Sequence, residues 1–175
     1  MQTEPEREPG VLATDSVLVR TMRADDLAAV VAIDAQASGR RRPRYFQLML
    51  DRALEPRTLQ VSLVAELDGR TAGYLIASLY YGEYGVAEPS ASIDAIGVDP
   101  LCRGRHVGRA MMRQLRLNLG ALHISALRTE VAWDDFDLLG FFKREGFAPA
   151  RRLCLECRLD PTSPAEAEAE DSSRM

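Results

Sequence analysis

A chain of 175 residues that is 46% hydrophobic is long enough to close one core and too short to need a second. Its apolar runs, such as 61–65 and 74–77, fall far short of the roughly 20 residues of a membrane span. Residues 1–10 carry Glu4, Glu6 and Glu8 where a secretory signal would be basic, so a cytoplasmic protein without a membrane partner is expected. The formal charge of -4 sits at the ends, leaving about +2 on residues 11–159, too neutral for a broad nucleic-acid footprint.

The boundaries predicted are a flexible arm over 1–15, one domain over 16–159 and a disordered acidic tail over 160–175, whose run PTSPAEAEAEDSSRM has almost nothing to bury. Residues 17–20 read as a first strand. An amphipathic helix over 24–37 repeats Leu27, Val30 and Val31 behind Asp25 and Asp26, acids that suit a helix start. The arginine-rich connector 39–44 leads to a second helix over 45–54. Residues 60–67, the Asp68-Gly69 turn and residues 71–81 form an antiparallel hairpin. After the loop 82–89, a strand over about 91–98 stops at Asp99-Pro100.

A long helix over 104–119 places Val107, Met111, Leu115 and Leu119 on one stripe, with Arg109, Arg113 and Arg116 off it and Gly120 as its stop. A strand over 126–131, a helix over 137–145 ended by Gly146, and a last strand over 147–159 closing the sheet complete the order β-α-α-β-β-β-α-β-α-β. This is an α/β domain with a mixed sheet. Three cysteines without a regular framework point to a reducing compartment. Cys154 and Cys157 have C-x-x-C spacing, but on an alternating strand they point to opposite faces. Only His106 and His123 are available as imidazole ligands, so no metal is expected.

The informative segment runs from Ile96 through Gly97, Val98, Asp99-Pro100, Arg103, Gly104, Arg105, His106, Val107 and Gly108 to Arg109. A strand that enters a glycine-containing turn and opens a helix presents unpaired backbone N–H groups and the positive helix end to one point. Gly104 and Gly108 permit close approach, and Arg103, Arg105 and Arg109 add charge suited to a pyrophosphate. The spacing is neither G-x-G-x-x-G nor a P-loop. Read alone, the same arginines also describe a solvated helix face, and His106 an exposed turn residue.

The run V-D-P-x-x-R-G-x-x-V-G-R-A resembles the coenzyme A pyrophosphate loop of the GNAT acetyltransferase superfamily, Q/R-x-x-G-x-G/A, with Arg103 first, Gly108 last and His106 in place of the middle glycine. Downstream, Thr129-Glu130-Val131 followed by Asp135, Leu138, Phe141, Phe142 and Gly146-Phe147 is similar to that family's E-V-x-x-x-N-x-x-A-x-x-L-Y-x-x-x-G-F. Every interval is kept, but Asp135 replaces asparagine, Leu138 replaces alanine, and Phe142 replaces the tyrosine that in many members protonates the leaving thiolate. The resemblance covers residues 16–159.

It implies a GNAT-type mixed, largely antiparallel sheet with helices on both faces. It also implies an N-acetyltransferase that uses acetyl-CoA, without a metal, on a primary amine of a protein N-terminus or a small molecule, by direct attack in a ternary complex. The cofactor would lie against Ile96, Gly97, Val98, the residues from Arg103 to Arg109 (Gly104, Arg105, His106, Val107, Gly108), Asp135 and Phe142, with oxyanion donors in the backbone at 96–98. Phe142→Tyr is expected to raise turnover. Asp94 shares side-chain parity with Ile96 and Val98, and a carboxylate in an apolar strand is hydrogen-bonded, paired or functional. It is the candidate general base, with a structural role as the alternative and Glu130 next in line. The acceptor would meet residues 40–46 and the loop 82–89, through Tyr45, Tyr81, Glu83 and Tyr84. A homodimer stays open. The rival readings are a non-catalytic acyl-CoA-binding or regulatory module, favoured by the missing tyrosine, and nucleic-acid binding through Arg40, Arg41, Arg42 and Arg44, which the near-neutral body disfavours.

Overall fold

The computed structural model describes residues 17–81 and 88–157, so the expected arm and acidic tail lie outside the described residues, as do Glu83 and Tyr84. The chain forms β1 (Leu18–Thr21), a 3-10 turn (Ala24–Asp26), α1 (Leu27–Ser38), α2 (Pro43–Ala53), β2 (Leu63–Leu67) and β3 (Arg70–Tyr80). There follow β4 (Ser90–Val98), a 3-10 turn (Pro100–Cys102), α3 (Val107–Ala121), β5 (Ala126–Thr129) and α4 (Phe136–Arg144).

Local chemistry explains the element ends. Asp26 accepts from the Arg23 N–H at 2.7 Å and from Arg20, closing the turn before α1. Gly39 ends α1 at φ 70°, a left-handed conformation that costs glycine least. Pro43 opens α2, where its missing N–H would have had no partner. Asp68 and Gly69 both take positive φ, as the tight turn between β2 and β3 requires.

The five strands lie in the order β1-β2-β3-β4-β5. The first four are antiparallel neighbours, and β5 joins β4 in parallel. One face packs its Leu63, Leu75, Ala91 and Ile93 against Val107, Met111, Met112, Leu115 and Leu119, the predicted stripe of α3, and Phe142 of α4. The other packs Val64, Tyr74 and Ile76 against Val30 and Val31 of α1 and Phe46 and Leu50 of α2. Helices therefore cover both faces, and the alternation of the strands decides which residue enters which core.

Two expectations fail. Ile76 pairs with Ala95 but Ala77 pairs with Ile93, so Asp94 is the extra residue of a β-bulge in β4. Ala91 and Ile93 before the bulge, and Ile96 and Val98 after it, pack on the α3 core. The inserted residue reverses the parity, so Asp94 faces the α1/α2 side and not the side of Ile96 and Val98. The expected last strand also does not form among the described residues. Residues 147–157 contain no strand, and Leu153 and Leu155 are each 88% exposed. Pro149 withholds a donor at the start of this segment. β5 offers an edge of only four residues, too short to repay the ordering of a further strand with two leucines on its face. A groove of about 490 Å³, floored by Leu119, Ile124, Leu127 and Phe147, stays open beside β5.

Candidate active site

β4 and β5 pair only from Ser90↔Ala126 to Ile93↔Thr129, where the Thr129 Oγ1 donates to the Ile93 carbonyl at 3.0 Å. β4 then continues to Val98 without a neighbour on that edge among the described residues, while the chain after β5 turns away into α4. The result is an opening whose β4 wall is the outer edge of residues 94–98, which pair with β3 on their other side only. Asp94 and Glu130 each stand one residue past the last pair, so the two carboxylates flank the point of parting. Both are exposed. The Ser78 hydroxyl donates a short hydrogen bond to Asp94 Oδ2 across β3 and β4.

The loop that follows β4 is anchored at its start. The Asp99 N–H donates to the Ala72 carbonyl at 2.8 Å, and the Asp99 carboxylate accepts from the Leu101 N–H at 2.9 Å. Gly104 and His106 both have positive φ, 77° and 61°. The middle position of the motif therefore takes the left-handed conformation that glycine favours, although it holds an exposed histidine. The N–H groups of Gly104, His106, Val107, Gly108 and Arg109 donate to no backbone oxygen among the described residues. They form a cluster of donors at the positive end of α3.

The charges around this cluster are less uniform than the sequence implied. Arg105 reaches Asp68 in the β2–β3 turn at 3.3 Å. Arg109 lies 3.9 Å, and Arg116 3.0 Å, from the carboxylate of Glu145. Arg103 is exposed and forms no ion pair with a described residue. Val107 is buried, and a Cβ at Gly108 would lie 3.1 Å from the Phe141 ring and 3.7 Å from Val98. Gly108 thus lets α3 approach α4 and β4, a packing role in addition to any approach by a ligand.

Two residues expected beside the cofactor have structural work. Asp135 is the N-cap of α4 and accepts from the Leu138 N–H at 3.0 Å. Phe142 is 3% exposed, with ring centroids 5.3 Å from Phe141 and 4.9 Å from Phe147. It is a core residue, buried in the cluster that α3 and α4 form against the sheet.

On the α1/α2 side, Tyr45 is half-exposed beneath the Arg42 guanidinium, 4.9 Å from its ring. Arg42 is held by Asp34 through bonds of 2.6 and 3.1 Å, which raise its pKa. Tyr81 is exposed just beyond β3. Tyr74, which the sequence did not single out, sits opposite Gly97 with its ring over that glycine: a Cβ there would be 2.5 Å from Cε1, 2.8 Å from Cζ and 3.0 Å from the hydroxyl oxygen. Burial, and then the nearby Asp34 charge, push its phenol pKa up against the opposing pull of Arg42. Only the register between β3 and β4 identifies this pair, so no local pattern could have.

Among the described residues no disulfide joins Cys102, Cys154 and Cys157 and no group of three metal-ligating side chains occurs; no described helix is long and apolar enough to cross a membrane.

The family model described as "Acetyltransferase (GNAT) family" matches residues 27–147. No curated protein matches the chain in sequence. Among solved structures it is similar to an aminoglycoside N-acetyltransferase AAC(6')-Iy in complex with CoA, at 17% identity and a TM-score of 0.70 over 85% of this chain and 98% of that one. A ribosomal-protein-alanine N-acetyltransferase from Brucella melitensis biovar Abortus 2308 gives 18% identity and a TM-score of 0.66 over 83% and 100%. A transcriptional regulator from Bacillus halodurans C-125 gives 17% and 0.67 over 82% and 100%. At such identities the likeness is one of fold, a mixed α/β architecture with a mostly antiparallel sheet.

Proposed function

Because the chain belongs to the GNAT acetyltransferase family, we propose that it transfers an acetyl group from acetyl-CoA to a primary amine by direct attack in a ternary complex. The observation that carries this reading is continuity: the open backbone edge of β4 runs straight into the cluster of unpaired N–H groups at the start of α3. A long ligand with an anionic middle and a reactive end fits such a track, with its pyrophosphate on the donors of Gly104 to Arg109 and the Arg103 guanidinium, and its acyl end along Ile96 to Val98. The fold likeness to a protein solved with CoA supports the same placement.

When bound, acetyl-CoA supplies an activated acyl carbon. The residues of this chain do the rest. Backbone N–H groups at 96–98 stabilise the oxygen that gains charge during attack. Asp94 accepts the proton of the incoming ammonium, directly or through one water, with Ser78 fixing its orientation. Glu130, on the opposite wall, adds negative charge that attracts a cationic amine. Phe142 offers no proton, and none is required for departure: a thiol of pKa near 8.5 leaves as the thiolate and is protonated afterwards. Tyr45 and Tyr81, with Glu83 and Tyr84 from the sequence between β3 and β4, contact the acceptor.

The rival, an acyl-CoA-binding module without turnover, draws support from one observation, the core position of Phe142. Release of free thiol from acetyl-CoA, measured with a panel of aminoglycosides, polyamines and alanine-starting peptides, separates the two. Turnover with any amine supports the enzyme; calorimetric binding of acetyl-CoA with no turnover across the panel supports the module. The fold is shared by acetyltransferases acting on aminoglycosides and on a ribosomal-protein alanine, so both acceptor kinds belong in the panel. The cysteines favour a reducing compartment, and the cytoplasm is the proposed location.

A further inference from the structure

Tyr74 is 3% exposed and its ring packs edge-on against Phe46 at 5.6 Å. Its hydroxyl has no hydrogen bond with a described residue, yet no buried side-chain oxygen or nitrogen among the described residues is left both sealed and unpartnered. The Tyr74 hydroxyl oxygen is therefore not fully sealed from solvent. Phenylalanine would fill the same space, and an unpartnered hydroxyl adds nothing to stability. The oxygen ends 3.0 Å from where a Cβ of Gly97 would stand, above the stretch of β4 whose outer edge is open. Gly97 has no side chain in the way, and that absence is what lets the ring lie over β4 at this position.

We propose that the Tyr74 hydroxyl is a catalytic hydrogen-bond donor to the acyl carbonyl oxygen, acting beside the backbone N–H groups of residues 96–98. The inference rests on the acyltransferase reading above. The amine lone pair forms the new C–N bond while the carbonyl π pair moves onto oxygen; that pair then returns and the C–S bond breaks, sulfur leaving with its electrons. The amine proton goes to Asp94 or water. Tyr74 keeps its own proton throughout and contributes only the hydrogen bond, strongest when the oxygen is most negative. Asp34, Arg42 and Tyr45 are the ionisable groups that act on it, and with burial dominant the phenol stays neutral, hence a donor, across neutral pH.

Tyr74→Phe tests this in the full-length protein. The expected result is a kcat lower by roughly 10²–10³, the loss typical for one oxyanion donor. KM for the amine and calorimetric affinity for acetyl-CoA should be unchanged, and the melting temperature the same or slightly higher. An unchanged kcat overturns the proposal. So does a raised KM at constant kcat, which would assign the hydroxyl to acceptor binding, and so does a lower melting temperature, which would show it to be structurally bonded. A Gly97→Ala variant, whose Cβ must push the ring aside, is expected to show the same loss of kcat. A wild-type protein that binds no acetyl-CoA refutes the acyltransferase reading and this inference with it, whereas an active wild type beside an equally active Tyr74→Phe refutes the inference alone.

Discussion

Asp94→Asn removes the proton acceptor and keeps the shape and the Ser78 contact, so kcat should fall by roughly 10²–10⁴ with acetyl-CoA affinity nearly intact. Initial rates beside calorimetry check this, and unchanged turnover would move the role to Glu130. Phe142→Tyr is reversed in sign by the packing. The sequence interval led to an expected gain in turnover, but the ring is buried between Phe141 and Phe147. A hydroxyl forced there without a partner costs about 1–3 kcal/mol. A lower melting temperature with no gain in rate between pH 6 and 9 is therefore expected. Asp26 gives a pH signature. Burial opposes its charge, but hydrogen bonds from Arg20 and the Arg23 N–H outweigh it and hold the carboxyl below its ordinary range. Its contribution to stability is therefore present above the unfolded carboxylate value and is lost as pH falls through the lowered folded value. Asp26→Asn should flatten the decline in melting temperature as pH falls below the ordinary carboxylate value of about 4.

At the scale of the element, the turn into α3 separates two glycine-like positions. His106 holds a left-handed conformation that costs a side-chain-bearing residue about 1–2 kcal/mol. Its ring is exposed and does not cap the helix through a hydrogen bond. His106→Gly should leave the melting temperature equal or higher and acetyl-CoA affinity unchanged; a weaker affinity would give the imidazole a part in phosphate binding. Gly108 has negative φ, and its need for a bare Cα comes from Phe141 and Val98. Gly108→Val should therefore lower stability and acetyl-CoA affinity together, the first because α4 must move. A loss of affinity with an unchanged melting temperature would reassign that glycine wholly to the ligand.

Across the whole molecule, one of the two cores lies where α3 crosses the sheet. Leu115 is fully buried there, and Leu115→Ala should cost about 2–5 kcal/mol. Leu153 and Leu155 lie outside both cores, so replacing both with serine should leave thermal unfolding almost unchanged; a large loss would show that this segment covers the edge of β5 after all. The sequence by itself determined whatever depends on neighbours within a turn or two. It set the stripe of α3, the Asp68-Gly69 hairpin, the stop at Asp99-Pro100, and the two spaced motifs that mark the family. Each is a local periodicity or a backbone preference carried by the residues themselves. The tertiary structure alone decided which way Asp94 points, that Tyr74 lies across Gly97, that Phe142 belongs to the core, and that no strand follows α4 among the described residues. Those outcomes turn on register and burial between segments far apart in the chain: a single inserted residue reverses every side chain beyond it, and an alternating segment becomes a strand only where a long enough edge exists to receive it.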